Sequence, residues 1–346
     1  MSIEIIKSNI NIDFVGKRKF AYSFSGVLLL LSILSLVVRG PNYGVDFAGG
    51  SIVQVKFASE VAIDKIRDGL RATGIEDVSV QSMGDVKDHE FLIRTDQMEA
   101  GQDFTSRLSQ NLEAAAGVGV EIRRLEMVGP QVGSDLKEKA LLAILFSLLL
   151  TAVYISGRFE FKWHQSAIIA AILGGAVYAL YTFNVPMQYI IPAALIVTIV
   201  LFWVFGLKFA LGGIVALIHD VTISAGVLSI LDKEFTITVI AALLTIIGYS
   251  LNDTIIVYDR IRENIRKLSK TPLGVVINRS VNETLSRTIM TQGLTLVMVV
   301  ALFLLGGEII HDFALALLVG FAVGTYSSIY VASPIVLTWE ERARKR

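Results

Sequence analysis

The sequence contains no cysteine. No disulfide staples any exported portion, and neither a thiol nucleophile nor thiolate metal ligation is available. Charge is scarce too: 18% of the 346 residues are Asp, Glu, Lys or Arg, and they balance to a formal net charge of zero. No phosphate-binding G-x-x-x-x-G-K-[ST] loop occurs, so ATP is not expected as the energy source. No cofactor, metal or nucleic acid partner is expected. Residues 163–207 hold no Asp, Glu, Lys or Arg at all. Where charge is this sparse, its placement carries information.

What is present is largely apolar, 53% of the chain. A membrane helix needs about 20 predominantly apolar residues. Residues 20–38, 138–157, 208–231, 235–258, 288–307 and 313–339 qualify. The run 163–207 is too long for one span, and Asn184-Val185-Pro186 near its middle makes a turn between two. Eight spans result. The first is read as an anchor, because no small-residue cleavage site follows it. Lys17, Arg18 and Lys19, then Arg158 and Lys162, then Lys208, then the segment 259–287, then Arg342, Arg344, Lys345 and Arg346 all fall on one side. By the positive-inside rule that side is the cytoplasm, with both terminal segments, 1–19 and 340–346. The segment 259–287 carries seven basic and three acidic residues and is read as a basic loop lying on anionic headgroups.

Residues 39–137 form the sizeable portion outside the membrane, and residues 40–137 carry a net charge of −6. Residues 51–57 alternate with a period of two. Ile63, Ile66 and Leu70 recur at helical spacing. Strand candidates follow at 78–82 and 90–95, then a helix at 103–116 and a strand at 120–128. The order βαββαβ predicts an α+β ferredoxin-like sandwich, a fold that hosts many functions and settles none. It contains no nucleophile–base arrangement and is read as a docking module.

The polar residues inside the spans are His219, Asp220, Asn252, Asp253 and, at the mouth of the next span, Arg287. A charged group at the centre of a membrane helix costs roughly 2.5–3.5 kcal/mol on insertion scales, so each asks for a use. The bland use is a helix–helix hydrogen bond. Ala241, Thr245, Gly248 and Asn252 form a small-residue stripe beside Asp253, which suggests that Asp253 faces protein. Asp253 precedes Asp259 by six residues, about 9 Å at 1.5 Å per residue. The next span returns from the same side near Arg287, so the two can share a depth. A helix movement that makes or breaks their pairing then binds or releases a proton. Gly213, Ala216, Asp220 and Ser224 form a second stripe. His219 points about 100° away from Asp220, so the two need not act together. The spacing of Gly320 and Gly324 is read as packing.

"GVDFAGG" at residues 44–50, "VGPQVGSDL" at 128–136, "RFEF" at 158–161, "ALIHDV" at 216–221 and "GYSLNDTIIVYDRIREN" at 248–264 together resemble the SecF family of bacterial protein-export subunits. That family belongs to the resistance–nodulation–division superfamily, and the resemblance covers nearly the whole chain. It implies a multi-pass subunit of the cell inner membrane. Its implied partners are a SecD-like subunit, as a heterodimer, the SecYEG channel, the translocating polypeptide and membrane lipid. It implies use of the proton gradient to promote translocation, with no enzymatic step, and Asp253 and Arg287 match the positions assigned to proton coupling. Members typically have six spans, so the pair at 163–207 is extra. Rival readings are weaker. A small-molecule exporter half of the same superfamily would carry a far larger external domain. An intramembrane aspartyl protease would show Gly-x-Gly-Asp where Asp253 follows Ser-Leu-Asn. A pure scaffold would have no need of Asp253.

Overall fold

The computed structural model describes residues 11–75, 78–83, 88–97 and 102–343. Residues 1–10 of the N-terminal segment, and Arg344, Lys345 and Arg346 of the basic tail, lie outside the described residues.

The chain enters as a long helix, α1 (Arg18–Val38). Its packing is inside-out relative to a water-soluble helix. Ala21, Ser25, Ser32 and Ser35 are buried, whereas Phe20, Leu30, Val37 and Val38 are exposed. Lipid tails solvate large apolar side chains as well as protein does, so small residues take the helix contacts. After α1 come a two-residue strand β1 (Asn42–Tyr43) and a short helix α2 (Val45–Ala48). Gly49 and Gly50 then turn the chain at φ +85° and +130°. A side chain on Gly49 would meet Pro130, and one on Gly50 the Thr95 carbonyl. This tight turn launches the external domain.

That domain contains β2 (Gly50–Phe57), α3 (Ile63–Ala72), β3 (Val78–Met83), β4 (Glu90–Thr95), α4 (Gln102–Ala116) and β5 (Val120–Val128). The sheet is antiparallel throughout, in the order β3-β4-β2-β5. With the two helices this is the expected ferredoxin-like sandwich. Val53 pairs with Ile93 and Val55 with Phe91, and these side chains pack with Ile66 and Leu70 of α3 and Leu108 and Leu112 of α4 into one core.

The remaining helices are α5 (Pro130–Glu160), α6 (Trp163–Thr182), α7 (Met187–Val204), α8 (Lys208–Ile230), α9 (Ile237–Lys267), α10 (Leu273–Leu305) and α11 (Gly307–Ser327). A π-helical turn, Ser328–Ala332, joins α11 to α12 (Ser333–Ala343). Among the described residues seven helices are long and apolar enough to cross a membrane by length and composition, and α7 supplies a shorter apolar helix. Between α8 and α9, β6 (Glu234–Phe235) pairs in parallel with β1. This ribbon marks one end of the bundle, and the α9–α10 hairpin marks the other.

The external domain is pinned at the ribbon end. Asp46 Oδ2 accepts a hydrogen bond from Ile237 N, at the first turn of α9, at 3.0 Å. Arg94 of β4 pairs with Glu234 of β6 at 3.0 Å; beside it, within the bundle, Lys233 pairs with Asp312 of α11 at 3.1 Å.

One segment departs from expectation. Residues 259–287 are not a loop: α9 runs to Lys267 and α10 begins at Leu273, leaving a short turn. Charge there pairs along each helix. Lys267–Glu263 and Arg279–Glu283 are i,i+4 pairs at 2.7 and 2.8 Å, and Asn264 donates across the hairpin to Ser280 at 3.0 Å.

Candidate functional site

α8 runs through the middle of the bundle and is buried along most of its length. Its small residues let neighbours close in: a side chain on Gly213 would overlap Ile155 of α5, and one on Gly226 would overlap Ser32 of α1. This helix carries His219 and Asp220, 2% and 0% exposed. Asp220 Oδ2 accepts from Ser250 Oγ of α9 at 2.5 Å and from Ser327 Oγ of α11 at 2.7 Å. Its Oδ1 lies 2.9 Å from His219 Nδ1, and His219 Nε2 lies 3.2 Å from Ser25 Oγ of α1. An ionised carboxylate only accepts, so with Asp220 charged the imidazole carries its proton on Nδ1 and accepts from Ser25. The expectation that these neighbours need not act together is corrected: the ring folds back onto the adjacent carboxylate. Four helices meet at one buried acid.

α11 reaches this point because its glycines face α9. A side chain on Gly320 would overlap Ile246, and one on Gly324 would sit 3.0 Å from Ser250 Cβ and 3.5 Å from Asp220 Oδ2. The Gly320–Gly324 spacing does serve packing. Just beyond, the π turn begins at Ser328, whose Oγ lies 2.9 Å from Thr254 Oγ1. Such turns place side chains where a regular helix does not.

Asp253 lies three residues beyond Ser250 on α9, about 4.5 Å along the axis, and is 1% exposed. Its neighbour is α10. Gln292 Nε2 donates to Asp253 Oδ2. Asp253 Oδ1, Gln292 Oε1 and Thr288 Oγ1 are all shielded and have no hydrogen-bond partner among the described residues. An unsatisfied buried polar group costs about 1–3 kcal/mol, so this cluster is held at a cost. It can take up a proton, which turns a carboxylate from acceptor alone into donor and acceptor.

Of the five site residues expected from sequence, the structure joins His219 to Asp220 and leaves the other three apart. Arg287 is exposed and makes no ion pair with Asp253 among the described residues. Asn252 is also exposed, together with Ala241, Thr245 and Gly248. The small-residue stripe therefore looks outward from this chain and does not cover Asp253. Sequence reasoning missed Gln292, Thr288, Ser250, Thr254, Ser327 and Ser25. The available signal was periodic: Thr284, Thr288 and Gln292 recur every four residues in α10, as do Ser250 and Thr254 in α9. Among the described residues no group of three His, Asp or Glu side chains stands at metal-binding spacing.

Comparison with known proteins supplies a context. The family model described as protein export membrane protein SecD/SecF, C-terminal, matches residues 108–190 and 182–342, and the SecD/SecF GG motif model matches residues 34–61. The protein translocase subunit SecF of Magnetococcus marinus is 40% identical, over 96% of this chain and 94% of its own length. That of Vibrio alginolyticus is 38% identical, over 96% and 91%. The crystal structure of SecDF, a translocon-associated membrane protein from Thermus thermophilus, superposes with a TM-score of 0.74 at 32% identity. That match covers 98% of this chain and 40% of the solved one, so the chain spans two fifths of that protein's length.

Proposed function

The chain belongs to the SecF family of protein translocase subunits, multi-pass membrane proteins of the Sec pathway, and from this premise we propose that it is one half of a proton-driven export device whose other half is SecD-like. The observation that carries the proposal is Asp253. It is a buried carboxylate with an unpartnered oxygen, lying beside an outward face that holds Asn252 and Arg287. Polar and charged groups facing lipid at mid-depth are costly, and a second half packed on α9 and α10 covers them. The solved SecDF chain is long enough to hold both halves, which supports this pairing.

In this reading a proton entering from the periplasmic side neutralises Asp253 and weakens its attraction for Arg287. Its release restores the charge and draws Arg287 inward. Each cycle shifts α9, whose first turn is capped by Asp46 of the external domain's stalk, and so moves the domain against the emerging polypeptide. Passage of one charge supplies ~2.3 kcal/mol per 100 mV, before any pH difference.

The eight-span topology in the bacterial inner membrane, with cytoplasmic termini and a periplasmic domain, belongs to the same proposal. So does contact with the SecYEG channel. The pair α6–α7 is taken as an insert, supported by a family match that falls in two pieces meeting within it.

The test is gradient-dependent protein export in inverted membrane vesicles carrying Asp253→Asn with the SecD-like half. Asn keeps the size and the bond to Gln292 but cannot cycle between charge states. The variant is expected to assemble at normal abundance and lose the gradient-dependent component of export. Full export by a normally assembled variant would overturn the relay.

A further inference from the structure

A second polar seam runs along a different face of α9 from the one that meets Gln292, toward the hairpin end. α9 presents Ser250, Thr254 and Tyr258 at intervals of four residues, all buried. Thr254 and Tyr258 find their partners on the π turn, and Ser250 meets the end of α11 through Asp220 of α8. Ser250 shares Asp220 Oδ2 with Ser327, Thr254 pairs with Ser328, and Tyr258 OH donates to the Ala332 carbonyl at 3.2 Å. Successive rungs are about 6 Å apart along α9. Gly212 of α8 keeps the last rung open, because a side chain there would meet Tyr258 OH and sit 2.7 Å from the Ala332 carbonyl.

The seam ends at an acid that the proposed relay does not use. The Tyr258 ring packs edge-on against Phe159 and Phe209, at centroid distances of 5.5 and 5.0 Å. Glu160 follows Phe159, and its Oε1 accepts from Phe209 N at 2.8 Å, capping the first turn of α8. One oxygen suffices for that cap. The other, Oε2, is shielded and makes no hydrogen bond of good geometry among the described residues, with the Ser156 hydroxyl of α5 beside the carboxyl group. The ionic groups around Glu160 are Lys162 from the following turn and Lys208 of α8, which is itself paired with Glu340 of α12 at 2.7 Å. Ser156 of α5 and Tyr258 of α9 complete its polar surroundings. Arg158 at the same end is engaged with Asp259 at 2.6 Å.

We propose that Asp220, the Thr254–Ser328 hydroxyl pair, Tyr258 and Glu160 form a cytoplasmic branch of the proton path, with Glu160 as its terminal proton acceptor. The proposal rests on the reading of this chain as proton-coupled. In one passage, protonated Asp220 gives up its proton and becomes a carboxylate. Each hydroxyl on the way accepts one proton on a lone pair as its own O–H proton moves on, so Thr254, Ser328 and Tyr258 end unchanged. Glu160 Oε2 takes the last proton, and Glu160 becomes neutral until it releases that proton to cytoplasmic water. With rungs about 6 Å apart along α9, passage from one to the next requires a bridging water in each gap, a link near the strength of a direct hydrogen bond.

The experiment uses the full chain with its SecD-like half in inverted vesicles. It measures the gradient-stimulated component of export against the pH of the cytoplasmic face, for Glu160→Gln, Tyr258→Phe, Glu160→Asp and Asp253→Asn. Gln keeps the cap on Phe209 N, and Phe keeps the ring between Phe159 and Phe209. Glu160→Gln and Tyr258→Phe are each expected to lower that component by about a hundredfold, the low end for loss of a positioned proton-transfer group. Glu160→Asp is expected to recover part of it with a shifted pH profile. If Glu160→Gln fails to assemble, Tyr258→Phe decides. Wild-type rates and pH profiles in both, with Asp253→Asn inactive, would overturn the branch and leave the Asp253 relay standing. Normal export by Asp253→Asn would overturn both.

Discussion

Asp220 and Asp253 are both carboxylates buried in apolar helices, and they differ in what surrounds them. Asp220 has a partner for each oxygen: His219 on one, Ser250 and Ser327 on the other. Asp253 has Gln292 on one oxygen and nothing on the other. Asp220→Leu should therefore do more structural harm than Asp253→Leu. It strands the His219 and Ser250 donors, at about 1–3 kcal/mol each, whereas Ser327 retains the Gly324 carbonyl as an acceptor. The expected outcome is a lower melting temperature in detergent for Asp220→Leu, with Asp220→Asn in between because its amide oxygen still accepts from the two serines. Equal melting of the two Leu variants would contradict this account. The two acids were legible in the sequence because ionisable residues are rare in spans. Their serine, threonine and glutamine partners were not, because such side chains are common in membrane helices and cheap to carry there. Arg287 makes no ion pair with Asp253 among the described residues for a related reason. Counting residues fixes depth along an axis but leaves the direction around it open, and Arg287 points outward in this chain.

Between elements, glycine decides which faces touch. Gly324 of α11 lies against Ser250, so Gly324→Leu forces α11 away from α9, at a typical overpacking cost of about 1–3 kcal/mol. Gly248, on the exposed face of the same α9, has nothing within 4 Å of the place a side chain would occupy. Gly324→Leu is thus expected to lower the melting temperature of the isolated chain, whereas Gly248→Leu leaves it unchanged and weakens co-purification of the SecD-like half. Retention of that half by Gly248→Leu would count against a partner on this face. Element boundaries were mostly readable: alternation marked β2, and helical spacing marked α3. The hairpin formed by the ends of α9 and α10 was misread, because a dense run of charge suggests a solvated loop. Its charges in fact sit four apart and pair along the helices.

At the scale of the whole molecule, the basic residues cluster at the hairpin end. A reporter fused after Leu207 should lie in the cytoplasm and one near Val185 in the periplasm. A cytoplasmic Val185 reporter would remove the eight-span arrangement. The external domain has its own closed core, built around Val53, Val55, Ile93 and Leu112. A fragment of residues 40–135 is expected to show helix and strand by circular dichroism and to melt cooperatively; a structureless spectrum, even with the partner domain added, would refute its independence. The architecture of this domain was legible because strand and helix periods alternate cleanly in its sequence. Its attachment to the bundle was not, because Asp46, Arg94 and Glu234 are far apart in the chain and ordinary in type.

That attachment has a mechanical consequence. α9 is one unbroken helix of 31 residues, about 46 Å long at 1.5 Å per residue, against a hydrocarbon layer of about 30 Å. It is grasped at one tip by Asp46 and braced at the other by Asn264 against Ser280. Among the described residues it contains no proline and no π turn where a displacement would dissipate. In the proposed relay such a helix would act as a push-rod, carrying a stroke begun at Asp253 toward both of its ends.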